Sequence, residues 1–153
     1  MGNHTVEKIG GTSMSQFTDV LDNILVGNKK EEELYNRIIV VSAYGGLTDM
    51  LLEHKKSQKP GVYALFSDID ASWAWGDAIS KVGDQMCQVN AQLEPLGLDL
   101  SIADRFVKER IEGVRSCLLD LTRLCSYGHF QLDEHLMTVR EMLSAVGEAH
   151  SAH

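Results

Sequence analysis

Lys8 stands two residues before Gly10-Gly11, and Thr12 and Ser13 follow directly; a second glycine pair, Gly45-Gly46, lies between Ser42 and Thr48. These are residue types that grip phosphate. A Gly-Gly turn strips side chains away so that backbone N–H groups can approach an anion, and a helix that follows presents its positive end. A nearby lysine adds a mobile point charge able to follow phosphate oxygens as charge shifts during transfer. Thr12 and Ser13 add hydroxyl and amide donors. The pattern is not a P-loop, because GxxxxGK[ST] is absent and the lysine precedes the glycines. Taken alone, K-x-G-G also fits a strand-end lysine snorkelling to solvent beside an ordinary turn. A second Gly-Gly turn behind a second strand shifts the balance, since two such turns on one sheet edge make a floor for a polar ligand.

Bringing those residues together requires strands that end at the same edge. His4–Ile9 has the branched residues and brevity of a strand, with Gly10-Gly11 as its breaker. Phe17, Val20, Leu21, Ile24 and Leu25 then follow one helical face, with Ser13 or Ser15 as the N-cap and Gly27-Asn28 as the stop. The charge run NKKEEEL reads as a solvated segment. Ile38–Val41 is a continuous β-branched run of the kind buried on both faces of a parallel sheet, and Leu47, Met50 and Leu51 open a helix behind the second glycine pair. Asp49, near that helix start, suits the dipole. This βαβα order implies an α/β fold whose parallel sheet carries both glycine turns at its carboxyl edge. After Pro60-Gly61 the chain reads as helices: Trp75 to Leu93, ending at Pro95 and Gly97; Val107 to Cys125, ending at Tyr127-Gly128; and a segment through Leu132, Leu136, Val139 and Leu143. Two parallel strands leave a sheet mostly unpaired, so the sequence reads as the first part of a larger domain.

A chain of 153 residues is long enough for one domain with a real core. Its net charge of −8 argues against a nucleic-acid backbone or an anionic membrane as partner. No apolar run approaches the ~18 residues of a transmembrane helix, and the N-terminus lacks a secretory pattern, so a cytoplasmic protein is expected. Cys87, Cys117 and Cys125 show no metal or redox spacing and read as small core residues in a reducing compartment. His150 and His153 share a helix face without a third ligand, so no metal site is expected. Trp73 and Trp75 are two apart, so only one of them faces the core of a helix.

KIGGTSM at 8–14 closely resembles the KFGGTSV signature of aspartate kinases, within the amino acid kinase superfamily. VVSAYGGLTDMLL at 40–52 resembles that family's VVSAxGGxTxxLL segment, and LSAVGEAHSA at 143–152 is similar to its LxSxGExxSA helix. The three motifs stand in the family's order and span essentially the whole chain. Ile9 replaces the usual Phe and Met14 the usual Val, apolar for apolar. The resemblance implies that residues 1–153 are the amino-acid-binding and phosphate-loop part of an amino acid kinase domain. That domain is a three-layer α/β/α sandwich with a mostly parallel sheet, here helix-rich after residue 60, with the nucleotide-binding half and the ACT domains absent.

What the resemblance implies chemically is phosphorylation of the β-carboxylate of L-aspartate by ATP and Mg2+ to 4-phospho-L-aspartate, in aspartate-family amino acid or ectoine-type biosynthesis, by a homo-oligomer. Lys8 would be the catalytic cation on the ATP phosphates, with Gly10, Gly11, Thr12 and Ser13 as the loop beneath them. Ser42, Gly45 and Gly46 would line the junction of donor and acceptor. Thr48 would hold a substrate carboxylate and Glu148 the substrate ammonium, with Gly147 letting the ligand approach. A carboxylate is already a competent nucleophile, so the work is alignment and charge neutralisation rather than base catalysis. The family's GRGGSD-like segment and adenosine pocket have no counterpart in these residues, so the chain alone is expected to be inactive or nearly so. Two alternatives stay open: a sibling kinase of acetylglutamate, glutamate or a nucleotide monophosphate, and a non-catalytic truncated partner subunit using the helical region 62–127. GGTS and GGLTD together favour aspartate.

Overall fold

A computed structural model describes residues 4–68, 73–128 and 130–153. Strand β1 (Thr5–Ile9) pairs in parallel with β2 (Arg37–Val41), Thr5 opposite Arg37 and Ile9 opposite Val41. Between them run α1 (Gly11–Met14), α2 (Phe17–Val20), a π turn (Leu21–Leu25) and α3 (Glu31–Tyr35). Then follow α4 (Leu47–Leu51), α5 (Val62–Ser67), α6 (Ala74–Leu93), α7 (Leu100–Ser126) and α8 (Leu136–Ala152). The fold is α/β and helix-rich, with a small parallel sheet at one side.

The two long helices end where the sequence punctuates them. Gly97 and Gly128 both take positive φ just past α6 and α7, and Asp99 caps α7 by accepting from the Ile102 N–H at 3.1 Å. α6 packs along α7, and α8 lies across α4, α5, α7 and β2. Leu51, Val62, Ile79, Val82, Leu118 and Leu143 are fully enclosed where these helices meet. Trp75 is buried and meets Phe66 edge-on at 5.7 Å, while Trp73 stays exposed, as their spacing requires.

The stretch 17–25 is not one helix. α2 gives way at Val20 to the π turn, closed by the Val26 N–H on the Leu21 carbonyl at 2.8 Å. Arg37 holds its end. Its guanidinium donates to the Leu25 and Ile24 carbonyls at 2.7 and 2.8 Å, and the Lys29 ammonium also donates to Ile24, so these carbonyls are satisfied from outside the helix. The same guanidinium forms a two-pronged ion pair with Glu7 across the strand register, which holds the Glu7 carboxyl below its usual range. Neither Ser13 nor Ser15 caps a helix. Gly10 is the N-cap of α1, and Ser15 Oγ donates to the Gly11 carbonyl at 3.2 Å.

The β-branched run is not buried on both faces. Ile38, Ile39 and Val40 are 52%, 41% and 44% exposed. Side chains alternate along a strand, so Val6, Lys8, Ile38 and Val40 share one face, and Ile9 and Val41 the other. Helices cover the second face only at its carboxyl end, where Ile9 is buried; Ile39 on that face and Val6 on the other, the latter 68% exposed, stay open. The cysteines also depart from expectation. Cys87 and Cys125 are half-buried and Cys117 is exposed, all three as free thiols. Cys117 precedes the buried Leu118 by one residue, which turns it about 100° off the apolar stripe of α7.

Gly147 is buried because α8 presses there on the second glycine turn. A Cβ at this position would lie 2.9 Å from Ala43 Cβ and 3.3 Å from Leu51 Cδ1. Gly147→Ala is expected to destabilise the fold by about 1–3 kcal/mol through overpacking, despite the ~1 kcal/mol helix-propensity gain of alanine. Urea denaturation measures this, and adding Ala43→Gly should recover most of the loss.

Candidate functional site at the carboxyl edge of the sheet

Because Ile9 sits opposite Val41, both glycine turns leave the same edge of the sheet. The Ser42 N–H donates to the Ile9 carbonyl at 3.1 Å, extending the ladder one step into the second turn. There the turns touch. A Cβ on Gly11 would lie 3.5 Å from the Ala43 carbonyl oxygen. A Cβ on Gly45 would collide with Ser15 Oγ and lie 3.9 Å from the Gly11 oxygen. Glycine at 45 therefore makes room for Ser15 at the end of α1, while at Gly11 a Cβ would meet the second turn in ordinary contact.

α1 begins at Gly11, so the N–H groups of Gly11, Thr12 and Ser13 are first-turn donors without an acceptor in the helix, and no side chain caps them. Lys8 is exposed, and its ammonium has no hydrogen-bond or ion-pair partner among the described residues. On the second turn Ser42 is half-buried, and Ala43 and Tyr44 are buried. Gly46 takes φ +83°, the left-handed conformation that lets the chain enter α4. Thr48 is exposed in the first turn of α4, and Asp49 beside it lies 3.8 Å from His54 Nε2.

Glu148 is exposed on α8 directly after Gly147. The role expected for Gly147 needs correction: the space above it is filled by Ala43 and Leu51, so it admits a helix rather than a ligand. That contact nonetheless fixes the turn of α8 bearing Glu148 against the second glycine turn. The structure thus gathers both turns, the start of α4 and the last turns of α8 at one edge. Among the described residues, no hydrogen bond or ion pair links Lys8, Thr48 and Glu148 to one another.

A cavity of about 740 Å3 opens beside Gly45 and Gly46, between α4, α5 and α6, with Asp49, His54, Lys59, Asp77 and Lys81 on its walls. Lys59, Asp77 and Lys81 escaped notice in the sequence. Asp77 and Lys81 are four apart on α6, the spacing of an ordinary solvated pair, and only the packing of α6 on α4 turns them to a cavity. Among the described residues no three His, Cys, Asp or Glu side chains gather as a metal site.

Behind the second turn lies a polar network that the sequence does not announce. Asn90 Nδ2 donates to Asp104 Oδ1 at 2.9 Å, and the Asn90 oxygen meets His150 Nε2 at 2.8 Å. The His150 ring packs edge-on to Tyr44 at 5.3 Å, and Tyr44 packs edge-on to Phe17 at 6.2 Å. Burial, aided by the neighbouring His153 and opposed by Asp104, pushes His150 down to about 4.

Over 149 residues the chain is 54% identical to the aspartate kinase Ask_Ect of Stutzerimonas stutzeri (strain A1501). This chain is homologous to an aspartate kinase. The alignment takes in 97% of the chain and 31% of the aspartate kinase, so the chain spans about a third of its relative's length. No family model matches the chain, and no solved structure matches it significantly. Among the described residues no helix is long and apolar enough to cross a membrane.

The buried His150 makes a pH test of this region. Its pKa in the fold lies below its ordinary value of 6.5, so between pH 6.5 and about 4 the unfolded chain takes up a proton that the fold refuses. Stability from the neutral imidazole is fully present above pH 6.5 and falls as pH drops through that window, by at most ~1.4 kcal/mol per unit. Urea midpoints measured from pH 7.5 downward should decline more steeply for the wild type than for His150→Phe.

Proposed function

We propose that this chain forms the phosphate-gripping and acceptor-binding part of an aspartate kinase, in which the γ-phosphate of MgATP passes to the β-carboxylate of L-aspartate. The observation that carries this reading is the contact of two side-chain-free turns at one sheet edge, with an uncompensated lysine two residues before the first. The homology to an aspartate kinase supports it. On the same reading, β1 and β2 begin the sheet of an amino-acid-kinase sandwich.

Each residue then has a task its chemistry suits. Lys8 brings a full positive charge to the phosphate oxygens and can follow the negative charge as it shifts while the bond to the leaving group lengthens. The amides of Gly11, Thr12 and Ser13 converge on the phosphate from the floor. Ser42, Gly45 and Gly46 keep donor and acceptor in line. Thr48 donates to a substrate carboxylate, and Glu148 accepts from the substrate ammonium. Mg2+ bound with the nucleotide would shield its charge, and these residues would align and neutralise.

The test is binding to the 153-residue chain, followed residue by residue by NMR. MgATP should shift the amides of Gly10–Ser13, and Lys8→Ala should weaken MgATP by about tenfold or more, a loss of ~1.4 kcal/mol. L-aspartate should shift Thr48 and Glu148, and Glu148→Gln should weaken it by a similar factor while leaving MgATP binding unchanged. N-acetylglutamate, with its ammonium blocked, should bind worse than aspartate; tighter binding of it would favour a sibling kinase. Aspartate binding that is indifferent to Glu148→Gln would remove that residue from the site.

A further inference from the structure

We propose that the cavity of about 740 Å3 beside the second glycine turn binds a short zwitterionic peptide, with its ammonium and carboxylate about one helical turn apart on an apolar frame. The charged side chains of its walls balance in sign. Asp49 and Asp77 line it together with Lys59 and Lys81, two of each sign in a chain whose net charge is −8. A pure anion or a pure cation gains on one pair and loses on the other, whereas a molecule bearing both charges gains on each. Between the charges the lining is largely apolar, with Met50, Leu65 and Ala78 in it, which weakens solvent screening and gives the ligand's frame a surface to cover. His54 and Gln85 add hydrogen-bonding groups.

The spacing on α6 sets the size of the ligand. Asp77 and Lys81 are four apart, so their Cβ atoms lie about 5–6 Å apart on one side of the helix. A two-residue peptide spans about 7 Å when extended, so its two ends reach both side chains. A single amino acid, with both charges on one carbon, does not. The other wall is tightly built. Gly61 is buried, and a Cβ on it would lie 2.6 Å from the Leu52 and Met50 carbonyl oxygens, so glycine is what lets the chain after the loop at 53–60 press on the end of α4. Within that loop the His54 N–H donates to the Lys59 carbonyl at 3.0 Å, and His54 Nδ1 accepts from the Lys56 and Ser57 N–H groups at 3.3 and 3.0 Å. The ring proton therefore sits on Nε2. Nε2 lies 3.8 Å from the Asp49 carboxylate, beyond hydrogen-bonding reach, which leaves this donor for the carbonyl of a peptide bond.

Leucyl-leucine is the probe, with N-acetyl-leucyl-leucine and leucyl-leucinamide as forms that each lack one charge. Each is titrated into the 15N-labelled 153-residue chain. Leucyl-leucine should give saturable shifts at the amides of Gly46, Lys59 and Asp77, and each blocked form should bind about fivefold or more weakly. Lys81→Gln should weaken leucyl-leucine by a similar factor yet leave leucyl-leucinamide unchanged, and Asp77→Asn should do the same with the N-acetyl form. Both positions are exposed on α6, so both variants should keep the amide spectrum of the fold. Equal binding of the three forms, shifts that do not saturate, or equal losses for charged and blocked ligands in the variants would each overturn the proposal. Excess L-aspartate should leave the bound peptide in place; displacement would make the cavity the acceptor site and overturn it too. No arm uses MgATP or kinase activity, so the result stands apart from the aspartate kinase reading.

Discussion

The parallel, in-register pairing of Thr5–Ile9 with Arg37–Val41 is the constraint from which the site follows. Side chains alternate along a strand, so a slip of one residue would put Ile9 on the bare face and move one glycine turn away from the other. Arg37 opposes that slip. Its side chain, 4% exposed, binds Glu7 on the partner strand and two carbonyls of the intervening segment at once. One guanidinium thus fixes strand to strand and strand to crossover, with several donors in a planar fork that a lysine could not match.

The contrast between the two strand cations is informative. Arg37 is enclosed and has its partners within the fold. Lys8 is open and has none among the described residues. A cation satisfied internally does structural work, and Arg37 does so here; Lys8 keeps its charge at the surface of the strand that leads into the first glycine turn. The same logic separates Gly147 from Gly45. Both make room, but Gly147 makes it for a helix, and Gly45 makes it for the neighbouring turn.

Much of this was legible in the sequence. The strand–Gly-Gly–helix repeat specified the edge, because a parallel pair must carry both turns at its carboxyl end. Gly97, Gly128 and Trp75 marked helix ends and core through purely local chemistry. What escaped depended on distant partners. The π turn at Leu21–Leu25 is closed at its end by Arg37, which reaches back to its carbonyls from the next strand, and no local pattern encodes that contact. Ile38–Val41 has the composition of a doubly buried strand but lacks neighbours to bury it. Asp77 and Lys81 look like ordinary polar positions on a surface helix and stay exposed, at the rim of a cavity, while Asn90 on the same helix is buried where α7 and α8 meet it.

The exposed residues Ile38, Ile39 and Val40 have a further consequence. They are uncharged and β-branched, and they belong to a two-stranded sheet whose outer rims offer unpaired backbone groups. Such a strip is a template onto which the same segment of other copies can stack into a cross-β fibril. The opposing force is the mutual repulsion of molecules carrying a net charge of −8. Salt screens that repulsion, so a higher ionic strength favours such stacking.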